Sequence, residues 1–157
     1  MNAISLFGFR KCLWLLAMGV SASLLGGCGD TITDKDIGFI SLSDTKALLL
    51  DKPGTAKAID TRTPNDFARG HIPGAINLDL SQVAADKDSV DPALARYKTL
   101  IVYGEDAGSA APRAMVKRFL RSGHKDPRMF AGGMAEWVNA GLQVEKSPSP
   151  SAKPTAK

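Results

Sequence analysis

Between Ile37 and Val144 the apolar positions fall in short blocks broken by polar punctuation, and their period alternates between that of a strand and that of a helix. Phe39 to Ser43 (FISLS) reads as a short strand. A helix follows, capped by Ser43 or Asp44, with Ala47, Leu48, Leu49 and Leu50 on its apolar side and Asp51-Lys52-Pro53-Gly54 as its stop. Ala56 to Thr61 is predicted as a second strand, after which Thr63-Pro64 opens a helix of little more than one turn, since the fixed φ of proline suits the first helical position. Gly74 to Leu80 is predicted as a third short strand, with a short helix from Ser81. Thr99 to Gly104 (TLIVYG) is the most apolar block and belongs at the centre of a sheet covered on both faces. Ser109 to Ser122 is the clearest helix: Met115, Val116, Phe119 and Leu120 make one stripe, Arg113, Lys117, Arg118 and Arg121 face water, and Gly123 ends it. Arg128 to Ala131 is a fifth strand and Gly132 to Gly141 a closing helix. Strand and helix in strict alternation predict an α/β fold, a doubly wound parallel five-stranded sheet with helices on both faces.

The ends of the chain follow a different pattern. Met1 to Lys11 holds two cations and no acid, and Cys12 to Leu25 is an apolar run of fourteen residues, about 21 Å as a helix, against the ~30 Å of a hydrocarbon core. That layout predicts a signal peptide over residues 1–27. The run closes on Leu25-Gly26-Gly27-Cys28, which resembles the bacterial lipobox, in which the cysteine is acylated before cleavage; more than one acyl chain at Cys28 gives stable anchoring in a bilayer. Residues 28–36 are expected to form a lipidated tether and 37–144 the folded domain. Glu145 to Lys157, rich in Pro, Ser and Lys, is expected to be a disordered tail. The acidic residue follows Cys28 at the second place, as Asp30, and not directly, so of two membranes the outer one is the expected address, on its periplasmic side.

Composition narrows the function further. The formal charge is +4, but with Arg10 and Lys11 removed 18 basic residues face 16 acidic ones, too even and too scattered for nucleic acid. His71 and His124 are isolated and no metal-ligand spacing occurs, so neither a metal nor a cofactor is expected. The chain has two cysteines; Cys12 goes with the leader and Cys28 becomes a thioether, leaving a mature domain without a free thiol.

Ala58 to Leu80 (AIDTRTPNDFARGHIPGAINLDL) resembles the signature of the rhodanese family, with a strand ending Asp-x-Arg, an acidic-aromatic pair and Gly-His-Ile-Pro-Gly-Ala-x-Asn. Met129 to Gly141 (MFAGGMAEWVNAG) resembles its Gly-Gly-x-x-x-Trp closing motif, and the similarity runs from about Ile37 to Leu142. The resemblance implies a thiolate just after the fourth strand, inside a bowl of backbone N–H groups at a helix N-terminus that lowers its pKa and holds the anionic donor. At that position this chain has Gly104. The loop Gly104, Glu105, Asp106, Ala107, Gly108, Ser109 is thus a degenerate active-site loop with no catalytic residue. "GEDAGSAAP" looks about two residues longer than the common six-residue form, so the nucleophile position falls at Gly104, Asp106, Gly108 or Ser109. Ser109 also reads as a helix N-cap, His71 as a structural imidazole and Trp137 as core.

These features predict a membrane-anchored rhodanese-like module without sulfurtransferase activity. Its pocket would be rimmed by Asp60, Arg62 and Arg113 and would take an envelope protein or a small anion at the degenerate loop. The competing expectations are an enzyme, one that handles sulfur with a thiol from a substrate or partner or that hydrolyses a substrate through Ser109 or Asp106, and a passive envelope component whose basic tail touches anionic polymer or lipid.

Overall fold

The structure, a computed structural model, describes residues 31–84, 86 and 89–148. The expected leader, Cys28 and residues 149–157 lie outside the described residues. The elements run β1 (Gly38–Phe39), α1 (Leu42–Lys46), β2 (Ala56–Asp60), α2 (Pro64–Arg69), β3 (Ile76–Asn77), α3 (Pro92–Ala95), β4 (Thr99–Tyr103), α4 (Ala110–Ser122), β5 (Pro127–Phe130) and α5 (Gly133–Asn139). The five strands form one sheet in the order β1-β5-β4-β2-β3, every neighbouring pair parallel.

β4 is central as its composition predicts, and all five of its residues are buried. Each large apolar side chain withdrawn from water there contributes about 1.5–3 kcal/mol. One face of the sheet is covered by α3 and α4, whose Leu94, Met115, Val116 and Phe119 pack with Ile59, Leu100, Val102 and Met129. The other face carries α1, α2 and α5, where Trp137 and Met134 meet Ala58, Ile101, Tyr103 and Phe130. Side chains of β4 therefore alternate between two cores, which is why no polar residue interrupts the run.

Several boundaries differ from the sequence reading, each for a local reason. The Ser41 side chain accepts from the Asp44 amide at 3.1 Å, so α1 is capped by Ser41 rather than by Ser43 or Asp44, and β1 shrinks to two residues. The helix expected from Ser81 is a single 3-10 turn, Leu80–Gln82, capped by Asp79. The short helix α3 has its own start signal in Asp91-Pro92, the Asp91 carboxylate accepting from Ala93 N at 2.8 Å. At the C-terminal end the expected boundary at Val144 falls short. Glu145 exchanges two backbone hydrogen bonds of 2.9 Å with His71 and its carboxylate accepts from Gly74 N at 2.8 Å, while Ser147 N donates to Ala68 O. The N-terminal boundary also moves, because Asp34–Asp36 forms a 3-10 turn closed by a capping box with Thr33.

Candidate functional site

The carboxyl ends of β2 and β4 lie side by side, Asp60 opposite Tyr103. In an open parallel sheet this is the edge at which ligands bind. β4 ends at Tyr103 and α4 begins at Ala110, so the connecting loop is Gly104–Ser109, six residues long. The longer loop expected from "GEDAGSAAP" is not present, because Pro112 lies inside the first turn of α4 instead of ending the loop, a position where its missing N–H costs nothing. Gly104 is thereby the first residue after the central strand.

The loop closes on itself. The Asp106 carboxylate accepts from Gly108 N at 3.0 Å and from the Ser109 hydroxyl at 3.2 Å, and the Ser109 oxygen accepts from Asp106 N at 3.2 Å. The Ser109 side chain makes no capping bond to α4, so it stands at the N-cap position without the N-cap role expected for it. Outside the loop, Met134 N and Ala135 N at the start of α5 each donate at 2.9 Å, to Gly104 O and Glu105 O. That approach requires glycine at position 133, where φ is +60° and a β-carbon would lie 2.6 Å from Gly104 O. Gly104 is hemmed in on its other side: a β-carbon there would come within 2.8 Å of both Pro112 Cγ and Ser109 Cβ. The place of a nucleophilic side chain is taken by Ser109 of the loop and Pro112 of α4.

Beside the loop, Arg62 is gripped at both ends. Its guanidinium donates to the fully buried Asp60 carboxylate from Nε at 3.1 Å and from one terminal nitrogen at 2.8 Å; the same nitrogen reaches Gly70 O at 2.6 Å, and the other reaches Glu105 at 3.0 Å. Burial acts to lower the Arg62 pKa, but the hydrogen bonds and charge of Asp60, with Glu105 beyond, outweigh it and hold the group above its usual range. Tyr103 is pushed up by burial and then by the Asp60 charge, so its hydroxyl stays protonated, accepting from Ile72 N at 3.1 Å. Arg62 thus ties β2, the turn at Gly70 and the loop into one unit.

An open cavity of about 770 Å³ lies over this unit. One wall is polar, with Arg62, Asp66 and Arg69; the floor is Gly104 and Glu105, with Ser109, Ala110 and Ala111 at the start of α4. The opposite wall is apolar, formed by Met134, Val138 and Val144. Of the residues expected at the rim, Arg62 lines the cavity, whereas Asp60 is buried behind it and Arg113 is not among the lining residues, being carried by α4 toward Asp34. Asp106, Ala107 and Gly108 are exposed and are not among the lining residues. Asp66, paired with Arg69 across one turn of α2, and the apolar wall escaped the sequence reading. Spacing gives Asp66-Arg69 away as an i, i+3 pair; the apolar wall is assembled by tertiary packing and has no local signal.

The structural readings of the motif hold. His71 is buried, bonds Phe67 O through Nδ1 at 2.8 Å and stacks on the Phe67 ring at 3.7 Å; Trp137 is fully buried and donates to Gln143 O at 2.8 Å. Among the described residues no group of three or more His, Cys, Asp or Glu is placed to hold a metal ion, and no helix is long and apolar enough to cross a membrane.

Comparison with known proteins agrees with this arrangement. The family model of the rhodanese-like domain matches residues 41–140. Thiosulfate sulfurtransferase YnjE of Escherichia coli is 32% identical over 102 residues, 57% of this chain and 23% of its own length. An HTH-type transcriptional regulator of Mycobacterium tuberculosis is 27% identical over 133 residues, covering 80% of this chain and 49% of its own. The chain therefore spans less than half the length of either curated relative. Among solved structures, a Bacillus halodurans protein superposes with a TM-score of 0.62 at 16% identity, over 78% of this chain and 87% of its own. The 3-mercaptopyruvate sulfotransferase SseA of Escherichia coli does so at 0.53 and 24%, over 71% and 51%; at these identities the likeness is one of fold. With the sheet order, the closing glycine pair and a family match over most of the described chain in agreement, this protein is a member of the rhodanese-like domain family.

Proposed function

We propose that the protein is a lipid-anchored rhodanese-like domain of the bacterial cell envelope that carries out no sulfur transfer of its own and acts as a binding or accessory module. The observation that carries the reading is Gly104. Sulfur transfer in this family is implied to need a thiolate as the first residue beyond β4, and a glycine stands there with its side-chain space taken by Ser109 and Pro112. No cysteine follows Cys28, so no other thiol of the mature chain replaces it. Neither Ser109 nor Asp106 serves as a substitute nucleophile, because each is held by the other and Ser109 has no histidine or lysine beside it to act as base.

The cavity supports binding instead. Its apolar wall and its Arg62, Asp66, Arg69 and Glu105 fit a small anion or a segment of an envelope protein that meets guanidinium and carboxylate groups together. Residues 1–27 act as the leader and acylated Cys28 holds the domain on the outer side of the cytoplasmic membrane, at the outer membrane where the host has two. In the test, the full chain is expressed with radiolabelled palmitate and assayed with thiosulfate and cyanide. Label is expected in the wild type and absent from Cys28→Ser, and thiocyanate is expected at the level of the blank. Unlabelled wild type defeats the anchor; thiocyanate above the blank defeats the silent site.

A second reading, sulfur handling with a thiol supplied from outside, draws on the open cavity directly over Gly104 and on the similarity to a thiosulfate sulfurtransferase. It predicts that adding a small dithiol starts turnover in the wild type, and that Ala111→Trp, which fills the cavity floor, stops it.

A further inference from the structure

The chain between Cys28 and the folded domain is short, and it leads to one face. Asp34–Asp36 is a closed turn, Ile37 is buried in the core beside Met115 and Phe119, and the Lys117 ammonium donates to the Asp34 carboxylate at 2.6 Å. From Asp34 onward the chain is fixed on α4. Thr31 is three residues from Cys28, and Asp34 is six; fully extended, those stretches reach at most about 11 and 22 Å. The second distance is about the length of α4 itself, roughly 20 Å for its thirteen residues. A lipid on Cys28 would thus keep the Asp34 contact on α4 within about 22 Å of the acylated residue.

The face that α4 turns away from the sheet is cationic. Arg113, Lys117 and Arg121 recur every fourth residue, with Ala114 between the first two and Ala110 one turn ahead, opposite the buried Met115, Val116 and Phe119. Arg118 flanks the stripe with one nitrogen bonded to Val83 O. Lys117, Arg118 and Arg121 together line a notch of about 200 Å³ against Leu80. The N-terminal turn packed on α4 carries Asp34, Lys35 and Asp36, and the 3-10 turn Leu80–Gln82, which also packs there, is capped by Asp79, so five cations stand against three carboxylates. Among the described residues no ion pair takes up the charges of Arg113 and Arg121.

Resting on the lipidation of Cys28, we infer that the outward face of α4 docks onto anionic phospholipid headgroups of the membrane that holds the anchor. Each cation near such a surface favours binding by about fivefold, so the stripe would orient the domain while the acyl chains retain it. Because Ala110 and Ala111 at the start of α4 line the large cavity, this orientation sets the rim of the cavity beside the bilayer, where a membrane-bound partner meets it.

The test uses the full chain purified from membranes. Its mature form has no free thiol, so a single introduced cysteine takes a nitroxide label selectively. One label is placed at Ala114→Cys, in the middle of the stripe, and a second at Asn139→Cys on α5, which covers the opposite face of the sheet. The protein is reconstituted into vesicles of phosphatidylcholine alone or mixed with phosphatidylglycerol, and collision of the label with a water-soluble nickel complex is measured. The inference predicts that the Ala114 label loses accessibility only in the phosphatidylglycerol vesicles, regains it when Arg113→Glu and Arg121→Glu are added, and regains it at high salt. The Asn139 label should be equally accessible in both vesicles. A protein retained on both vesicles with an equally exposed Ala114 label overturns the docking and leaves the anchor standing. A protein that phosphatidylcholine vesicles fail to retain overturns both, since the short leash is then absent.

Discussion

Gly104→Ala should destabilise the domain although it adds only one carbon. In the structure that carbon comes within 2.8 Å of Pro112 Cγ and Ser109 Cβ and 3.1 Å of Ser109 Oγ, distances well inside ordinary contact. Pro112 is held in the first turn of α4, and Ser109 by its bonds with Asp106, so neither can yield without moving the helix start. Overpacking of this kind costs about 1–3 kcal/mol. For a domain of this size that is a fall in Tm of about 4–12 °C, readable by circular dichroism. Ser109→Gly removes one of the two obstructing groups, and on its own should cost under about 1 kcal/mol through chain entropy and the lost bonds to Asp106. In the double variant the two costs should fail to add, by more than about 0.5 kcal/mol, because the clash with Ser109 is gone. Gly104→Cys meets the same atoms and should fall at least as far, without producing thiocyanate. A Gly104→Ala variant as stable as wild type, or singles and double that add, would refute the reasoning that the bowl has been filled from within.

Two further outcomes follow from the buried charges. Arg62→Met strands the fully buried Asp60 carboxylate and should cost about 3–5 kcal/mol in urea unfolding. Glu105→Gln removes only the outer, 60% exposed partner and should cost less than about 1 kcal/mol, so comparable losses would show that the unit is arranged otherwise. His124 is buried against Phe119 with Nε2 unbonded, and burial lowers its pKa below the ordinary 6.5. The unfolded chain then takes up the proton first, so stability is full above about pH 6.5 and declines as pH falls through and below that value. The urea midpoint should drop between pH 7 and pH 5 in the wild type and stay level in His124→Phe; equal midpoints in the wild type would contradict this.

The architecture was open to reading because each element carried its own period. The uninterrupted run Thr99–Tyr103 marks the centre of the sheet, and the spacing of Met115, Val116 and Phe119 marks the face of α4 that meets it. The chemistry of the loop was half legible. The absence of a cysteine beyond Cys28 is a matter of composition, but whether the bowl stays open depends on where Ser109 and Pro112 end up, and that is fixed by the start of α4. A local signal existed: Asp106-Ala107-Gly108-Ser109 is the kind of sequence in which an Asp side chain bonds the amide two residues on. Placing Pro112 at the end of the loop hid it. The sequence places Arg113 at the rim, yet on a helix a residue three places into the first turns points wherever the apolar stripe does not, here toward Asp34. The union of Arg62 with Glu105, 43 residues away, and with Gly70 O arises only once β2 and β4 pair.

Mass spectrometry of the full, processed chain after incubation with thiosulfate examines the central claim most directly. With Gly104 after β4 and Cys28 acylated as proposed, no atom is left to accept a sulfane sulfur, so the mass should be unchanged and cyanide should release no thiocyanate. An increment of one sulfur atom, removed by cyanide, would contradict the account.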